Sequence, residues 1–185
     1  MGLRRREVVH AVTLTPPRAI DPASPRTFAD AAEAHLDDVF GYLLYLTHDR
    51  ATADDLAGAT FEKAFRLWSR FDAARGSART WLLGIARTTA LDWFRSEQRR
   101  RRREEAAAPL DRVEATFVEG LSPALESALA SLSAAEREIV ALRIVLELDS
   151  DAAARVLGIS PTAVSTRLSR ALKRLEERVN QDDLR

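Results

Sequence analysis

The sequence predicts an all-α protein in which two small helical domains are joined by a flexible linker. Apolar residues recur at spacings of three and four along most of the chain, which is the period of an α-helix. Residues that cap helices stand before these stretches, and a run of arginines followed by Pro109 divides the chain into two parts. With 185 residues, each part is just long enough to bury a core of its own.

The composition narrows the class of protein. A content of 46% hydrophobic and 30% charged residues is typical of soluble domains, and no apolar stretch approaches the roughly 18 residues of a membrane span. We therefore expect a cytoplasmic protein without membrane insertion. The 28 basic and 28 acidic residues balance, so any contact with nucleic acid must come from local patches.

No residue pattern indicates catalysis, a metal or a cofactor. The chain has no cysteine, which excludes disulfides and thiolate chemistry, and His10, His35 and His48 lack the spacing of metal ligands. The adjacent Asp54 and Asp55 are better explained by favourable charge near a helix N-terminus than by acid–base chemistry. We do not expect an enzyme.

The first domain is expected over residues 27–103, after a mobile leader of residues 1–26 that is rich in proline and arginine. Its first helix is predicted over Phe28–Thr47 by an apolar stripe formed by Leu36, Val39, Phe40, Leu43 and Leu44. Thr52 and Asp55 resemble a capping box and place the start of the second helix. The stripe of that helix, Phe61, Ala64, Phe65 and Trp68, is expected to be core.

A third, long helix is predicted after a loop at 71–78, capped by Ser77 or Thr80 and running toward Arg103. One side of it is apolar, and the other carries the hydrogen-bonding groups of Arg87, Thr88, Asp92 and Arg95. The arginines at 99–103 fit two interpretations, a solvated helix end or a contact with phosphates.

The second domain is expected over residues 122–179, between a linker at 104–121 and a tail at 180–185. Ser133 and Glu136 form a capping box, and Asp149 can cap a short helix ending at Leu157. Gly158 stands where a left-handed residue is needed, and Ser160 with Pro161 begins the next helix. This order predicts a helix-turn-helix.

The final helix has an apolar face and a polar face. Val164, Leu168, Ala171 and Leu175 lie on the apolar face. The opposite face is suited to a DNA major groove, because its short residues allow close approach while arginines reach guanine or phosphate. The candidate residues are Ser160, Pro161, Thr162, Ser165, Thr166, Arg167, Arg170 and Lys173.

These residues resemble the sigma-70 family of bacterial transcription initiation factors, in its two-domain extracytoplasmic-function form. The first domain carries the similarity in Ala53-Asp54-Asp55-Leu56, Thr60-Phe61, Phe71-Asp72, Trp81-Leu82, Ile85-Ala86-Arg87 and Ala90-Leu91-Asp92. The second carries it in Leu132-Ser133, Glu136-Arg137-Glu138, Leu157-Gly158-Ile159-Ser160 and Arg167-Leu168-Ser169-Arg170-Ala171. Both stretches stand in the order of the family, and together they cover about 28–179.

The resemblance implies an alternative sigma factor, a non-catalytic subunit that directs core RNA polymerase to promoters. The clamp helices of the largest subunit would contact Asp54, Asp55, Leu56, Thr60, Phe61 and Lys63. The opened minus-ten strand would contact Arg75, Ser77, Arg79, Arg87, Thr88, Asp92, Trp93 and Arg95. The final helix would read the minus-thirty-five element beside the polymerase flap, the linker would enter the polymerase cleft, and an anti-sigma factor is an expected partner.

Six positions depart from the family pattern, and three of them, Thr88, Thr89 and Trp93, lie in the long helix, so the resemblance implies no particular minus-ten sequence. Gly58 and Ala59 replace a polar pair, and Ser165 replaces a common lysine. They leave open a sigma-like protein that binds a partner without reading DNA. A stand-alone helix-turn-helix regulator is the other alternative, since the turn at Gly158 also resembles response-regulator output domains.

Overall fold

The computed structural model describes residues 27–105, 129 and 131–182. Over these residues the chain is helical and contains no strand, which confirms the predicted class. The helices are α1 (Phe28–Thr47), α2 (Arg50–Leu67), α3 (Ala78–Glu105), α4 (Ala134–Val140), α5 (Ser150–Leu157) and α6 (Pro161–Asp182). Short 3-10 turns span Trp68–Arg70 and Ala73–Arg75, and a π-helical turn at Ala141–Val145 continues α4. The leader, residues 106–121 of the linker and the last three residues lie outside the described residues.

Helix α1 begins at a capping box that the sequence did not indicate. The Thr27 hydroxyl accepts from the Asp30 amide at 3.2 Å, and the Asp30 carboxylate accepts from the Thr27 amide at 3.1 Å. The backbone leaves helical geometry at His35, which changes the phase of the helix there. Leu36, which the apolar stripe assigned to the core, is 51% exposed beside this break.

Helix α2 begins three residues earlier than predicted. Asp49, and not Thr52, is the N-cap, because its carboxylate accepts from the Thr52 amide at 2.7 Å. The aromatic stripe of α2 is also only partly core. Ala64 is fully buried, but Phe65 is 66% exposed, where its ring meets the edge of Phe28.

The second domain has the predicted caps and an unpredicted turn. Ser133 and Glu136 form the capping box of α4, which confirms that interpretation. The chain then widens into the π-helical turn, in which the Leu146 amide donates to the Ala141 carbonyl at 2.9 Å. Glu147 follows with a φ of 51°, a left-handed conformation that ends the turn before α5.

The two domains pack against each other and share one hydrophobic core. Leu82 and Leu83 of α3 are fully buried, as are Ile139 and Leu142 of the second domain, and all four belong to the same cluster. Helix α3 contacts α5 on one side and α1 and α2 on the other. Two separate cores, which the chain length favoured, are therefore not what the structure shows.

Candidate nucleic-acid and protein interfaces

The helix-turn-helix of α5 and α6 has the predicted local geometry. The Asp149 carboxylate accepts from the Ala152 amide at 2.7 Å and begins α5. Gly158 ends it with a φ of 67°, and the Ser160 hydroxyl accepts from the Ala163 amide at 3.2 Å as α6 begins. Left-handed backbone favours glycine because it has no Cβ to meet the following carbonyl. The turn thus holds α6 at a set angle to α5.

The polar face of α6 lies open to solvent. Val164 and Ala171 are fully buried and anchor the opposite face. All eight residues predicted to read the minus-thirty-five element are exposed: Ser160, Pro161, Thr162, Ser165, Thr166, Arg167, Arg170 and Lys173. An exposed helix face with arginines and short hydroxylic side chains is the shape that a major groove admits.

Two hydroxyl groups on the polar face of α6 donate hydrogen bonds to backbone carbonyls of the same helix. The Ser165 hydroxyl donates to the Pro161 carbonyl at 3.2 Å, and the Thr166 hydroxyl donates to the Thr162 carbonyl at 3.0 Å. Each hydroxyl oxygen still has lone pairs that accept hydrogen bonds. These two short side chains therefore allow DNA to approach the helix closely, and their oxygens can accept hydrogen bonds from base edges.

The residues predicted to capture the minus-ten strand fall into two groups. Arg75, Ser77, Thr88, Asp92 and Arg95 are exposed on the loop before α3 and along α3. Four of them bond to neighbouring residues: Asp92 pairs with Arg95 at 3.1 Å, the Lys63 ammonium donates to the Thr88 hydroxyl at 3.3 Å, and the Ser77 hydroxyl accepts from the Thr80 amide at 3.2 Å. Such contacts between exposed groups are weak and give way to a ligand.

Arg79 and Arg87 form the second group, because both are engaged in ion pairs. Arg79 donates to both carboxylate oxygens of Asp38 at 2.7 Å, and one of its terminal nitrogens also donates to the Leu146 carbonyl at 2.8 Å. The Arg87 Nε donates to the Glu138 carboxylate at 2.7 Å. Leu146 and Glu138 belong to the second domain, so both arginines connect the domains.

Electrostatics strengthens these contacts. Burial by itself raises the pKa of Asp38, but hydrogen bonds and charge from His35 and Arg79 outweigh it and lower the pKa to about 2. Burial raises the pKa of Tyr42 well above its ordinary value, and the carboxylate of Glu138 raises it further. Asp38 is therefore ionised at neutral pH. The Tyr42 hydroxyl keeps its proton and donates it to Glu138 in a hydrogen bond.

The tryptophans of α3 are half-buried and pack on other rings. Trp81 meets Trp68 edge-on at 5.8 Å and Phe71 at 5.4 Å, between ring centroids. Trp93 meets Phe94 edge-on at 5.0 Å. Edge-on and tilted pairs of this kind stabilise a core. Trp93, one of the predicted minus-ten residues, thus has a packing role whether or not it also meets DNA.

The residues predicted to contact polymerase divide by burial. Asp54 and Asp55 are exposed on α2, and Phe61 and Lys63 are half-buried. Leu56 is 6% exposed and Thr60 is fully buried, with its hydroxyl donating to the Leu56 carbonyl at 2.7 Å. Those two side chains face the core, so we correct their assignment from contact residues to residues that support the exposed face.

The sequence did not single out three residues that organise the site. Glu138, which appeared only as part of a family-like motif, joins the domains through Tyr42 and Arg87, and Asp38 orients Arg79 within the first domain. Tyr42 and Glu138 are 96 residues apart, so no local spacing signals their contact. The one sequence feature that pointed to a role for Glu138 was its position beside Ile139, at the border of an apolar helix face.

Within the described segments, no group of three or more His, Asp or Glu residues is placed to hold a metal ion. The helices described here also include none that is both long and apolar enough to cross a bilayer.

Comparison with protein families supplies two matches. The model for sigma-70 region 2 matches residues 31–100, and the model for sigma-70, region 4 matches residues 122–175. An "ECF RNA polymerase sigma factor SigC" of Mycobacterium tuberculosis is 34% identical over 155 residues, which cover 82% of this chain and 83% of the relative. An "RNA polymerase sigma factor YlaC" of Bacillus subtilis is 31% identical over 158 residues, which cover 82% and 90%.

Two solved structures are also similar to this chain. The sigma factor RpoE of Bartonella quintana, in complex with the anti-sigma factor NepR, matches with a TM-score of 0.66 and 25% identity, over 83% of this chain and 96% of that one. CnrH, in complex with the cytosolic domain of CnrY, matches in fold with a TM-score of 0.61 and 23% identity, over 84% of this chain and 88% of that one.

Proposed function

This chain belongs to the sigma-70 family, in its extracytoplasmic-function group, and from that premise we propose a division of labour among its surfaces. The protein is an alternative sigma factor, and sigma factors are non-catalytic specificity subunits of RNA polymerase. The region 2 match over 31–100 favours this function over a stand-alone regulator, which would have no use for a polymerase-binding domain.

The exposed face of α2 is proposed to bind the clamp helices of the polymerase largest subunit. Asp54 and Asp55 supply negative charge there, and Phe61 and Lys63 extend the surface. The exposed ring of Phe65, which the sequence assigned to the core, is a further apolar contact for this surface. Aromatic rings at the centre of an interface commonly contribute much of its binding energy.

The start of α3 and the loop before it are proposed to capture the opened minus-ten strand. Exposed Arg75 and Ser77 are the first groups that a strand would meet. Arg79, Arg87 and Trp93 complete this surface once their present contacts are released. Stacking of a base on an aromatic side chain contributes about 1–3 kcal/mol.

The polar face of α6 is proposed to read the minus-thirty-five element. The single observation that carries the proposal is its full exposure on a helix-turn-helix whose caps and turn are all present. The region 4 match over 122–175 supports the same assignment. The flap of polymerase is the proposed partner of this domain, and an anti-sigma protein is a proposed partner of the whole chain.

The similarity to RpoE, solved with an anti-sigma factor, supports that last proposal. An inhibitor that covered α2 and the helix-turn-helix would block polymerase and promoter together. Co-purification from the native host that yields the polymerase complex alone, under all growth conditions, would contradict it.

The proposed function is tested by equilibrium binding of labelled full-length protein to purified bacterial core RNA polymerase at moderate salt. We expect saturable binding that an established sigma factor displaces. Asp55→Arg should weaken this binding at least tenfold, because it reverses a charge at the proposed interface. Asp37→Arg, an equal reversal on the exposed side of α1, which has no proposed polymerase contact, is the matched control.

If Asp55→Arg binds polymerase as tightly as the unaltered protein, the proposal that α2 is the contact surface is wrong. Failure of the unaltered protein to bind polymerase would overturn the proposed function as a whole.

A further inference from the structure

An ion pair inside the second domain joins α4 to α6. A terminal nitrogen of Arg174 donates to the Oε2 of Glu136 at 2.8 Å, across 38 positions of the sequence. The Glu136 side chain is 13% exposed and that of Arg174 is 51% exposed. The pair of Lys173 and Glu177 lies within α6, is longer at 3.9 Å, and has both side chains more exposed. The Glu136 pair is therefore the better protected of the two.

The Glu136 carboxylate is held in place because it also belongs to the cap of α4. Its Oε2 accepts from the Ser133 amide at 2.9 Å and from the Ser133 hydroxyl at 2.7 Å. The Ser133 hydroxyl in turn accepts from the Glu136 amide at 3.3 Å. Hydrogen bonds to an ionised carboxylate are stronger than those between neutral groups. The carboxylate is thus fixed to the first turn of α4, and it holds Arg174 at that point.

Arg174 lies one turn beyond Arg170, which belongs to the polar face of α6. Four residues along a helix correspond to a shift of about 6 Å and a rotation of about 40°. The opposite face of α6 is anchored by the buried Val164 and Ala171, but apolar contacts have no preferred direction. A rotation of α6 by about 20° would move the ends of its side chains by about 2 Å, which breaks a hydrogen bond.

We propose that Glu136 is a positioning residue for promoter reading, which fixes the rotation of α6 through Arg174 so that Arg167 and Arg170 point at base edges. The inference rests on the function proposed above for the polar face of α6. Glu136 acts through Arg174 and needs no contact with DNA. Base edges are read by short, directed bonds, whereas attraction to phosphates tolerates a displaced helix. Loss of the pair should therefore weaken sequence-specific binding more than non-specific binding.

The test compares the affinity of full-length protein for two fluorescein-labelled duplexes. The first carries the sequence that the unaltered protein enriches from a random-sequence pool of short duplexes. The second has the same base pairs in scrambled order. The measured quantity is the ratio of the two affinities. A variant that is merely less well folded binds both duplexes less tightly by the same factor, so a purely structural effect leaves this ratio unchanged.

Two variants remove the ion pair from opposite sides. Glu136→Gln removes the charge and keeps the cap of α4, because glutamine also suits the third position of a capping box. Arg174→Gln leaves that cap untouched. Each should lower the affinity ratio about fivefold, which corresponds to about 1 kcal/mol. The double variant should also lower it about fivefold, because the second change finds no contact left to remove.

Glu177→Gln is the matched control. It removes the same charge from the same domain, but its partner Lys173 lies on its own helix. A change in overall charge affects both duplexes alike, so the affinity ratio of this variant should equal that of the unaltered protein.

Three results with the variants would overturn the proposal. An unchanged ratio for Glu136→Gln and Arg174→Gln would show that the pair does not position α6, and an equal loss on both duplexes would show a structural role only. Tighter binding of Glu136→Gln to both duplexes, with a salt slope steeper by about one, would show that Glu136 instead keeps Arg174 away from phosphates. If the unaltered protein enriches no sequence, the proposed reading function fails and this inference with it; that result involves no variant and is therefore distinguishable from the others.

Discussion

Arg79 and Arg87 are proposed to bind DNA, and in this structure each pairs with a carboxylate. A guanidinium presents a planar fork of donors that matches a carboxylate, a phosphate or the edge of a guanine. In this structure the forks of both arginines are directed at carboxylates, Asp38 for the first and Glu138 for the second. The sequence identified both residues as suited to DNA, since the residue type is local information. It did not identify what occupies them, because the partners lie 41 and 51 residues away.

Arg170 provides the residue-scale test of DNA reading. It is exposed on the polar face of α6. Arg170→Ala should weaken binding to a duplex carrying the minus-thirty-five element by about 1–3 kcal/mol if the arginine reads a base. If it contacts a phosphate instead, the slope of log affinity against log salt should fall by about one.

The measurement is a fluorescence anisotropy titration at three salt concentrations. Arg178→Ala is the control, since Arg178 is an exposed arginine two turns further along the same helix. Affinity and salt slope both equal to wild type for Arg170→Ala would refute both roles.

Helix ends were predictable wherever a single side chain decides them. Asp149, Gly158 and Ser160 each act within three or four residues, and all three have the predicted cap or turn geometry. The start of α2 was misplaced because two capping residues, Asp49 and Thr52, stand three positions apart. An aspartate is the stronger N-cap, and here it accepts from the amide of the threonine itself.

The π-helical turn lay beyond the local pattern. Ile139 and Leu142 stand three positions apart, which is the spacing of an ordinary helix, so their pattern carries no sign of a wider turn. The extra residue at Ala141–Val145 turns the Leu146 carbonyl toward Arg79, and the Arg143 guanidinium donates to the Leu148 carbonyl. The turn contacts α1 of the first domain, so residues far apart in the sequence meet at it.

Two glycines provide the element-scale prediction. Gly158 has a φ of +67°, so Gly158→Ala places a Cβ in the left-handed region and should lower the free energy of unfolding by about 1 kcal/mol. Gly58 lies within α2 with open space where a Cβ would stand. Gly58→Ala should raise the free energy of unfolding by about 0.5–1 kcal/mol, because alanine is a better helix former than glycine.

Urea denaturation followed by circular dichroism measures both changes, and each variant is the control for the other. A loss of stability in both variants would contradict the conformational argument and indicate a crowding effect at Gly58.

At the scale of the whole molecule, the domain packing rests on a few polar contacts around a shared apolar core. Asp38 supports one of them: it lies 3.4 Å from His35 Nδ1 and 2.7 Å from Arg79, and Arg79 donates to the Leu146 carbonyl of the second domain. Since its pKa is lowered to about 2 from an ordinary 3.8, its ionised form is favoured by folding. Its contribution to stability is therefore complete above about pH 4 and is lost as the pH falls toward 2.

Asp38→Asn removes this contribution, so the stability of wild type relative to the variant should depend on pH. The difference should be about 1–2 kcal/mol near pH 5, after allowance for the partial exposure of the carboxylate, and should shrink toward pH 2. Guanidinium denaturation at half-unit steps of pH measures it. Asp37→Asn, at the exposed neighbouring position of α1, is the control.

A difference between wild type and Asp38→Asn that stays constant from pH 5 to pH 2 would show that the Asp38 carboxylate is not ionised more easily in the folded state.

By itself, the sequence determined the class of fold, the helix-turn-helix and the polar face of α6. Each depends on caps, turns or periodicity, which are interactions between residues a few positions apart. Only the tertiary structure decided that Phe65 is exposed, that Leu56 and Thr60 are core, and that Glu138 joins the domains. The reason is physical: burial and long-range ion pairs depend on which surfaces meet in space, and chain order does not specify that meeting.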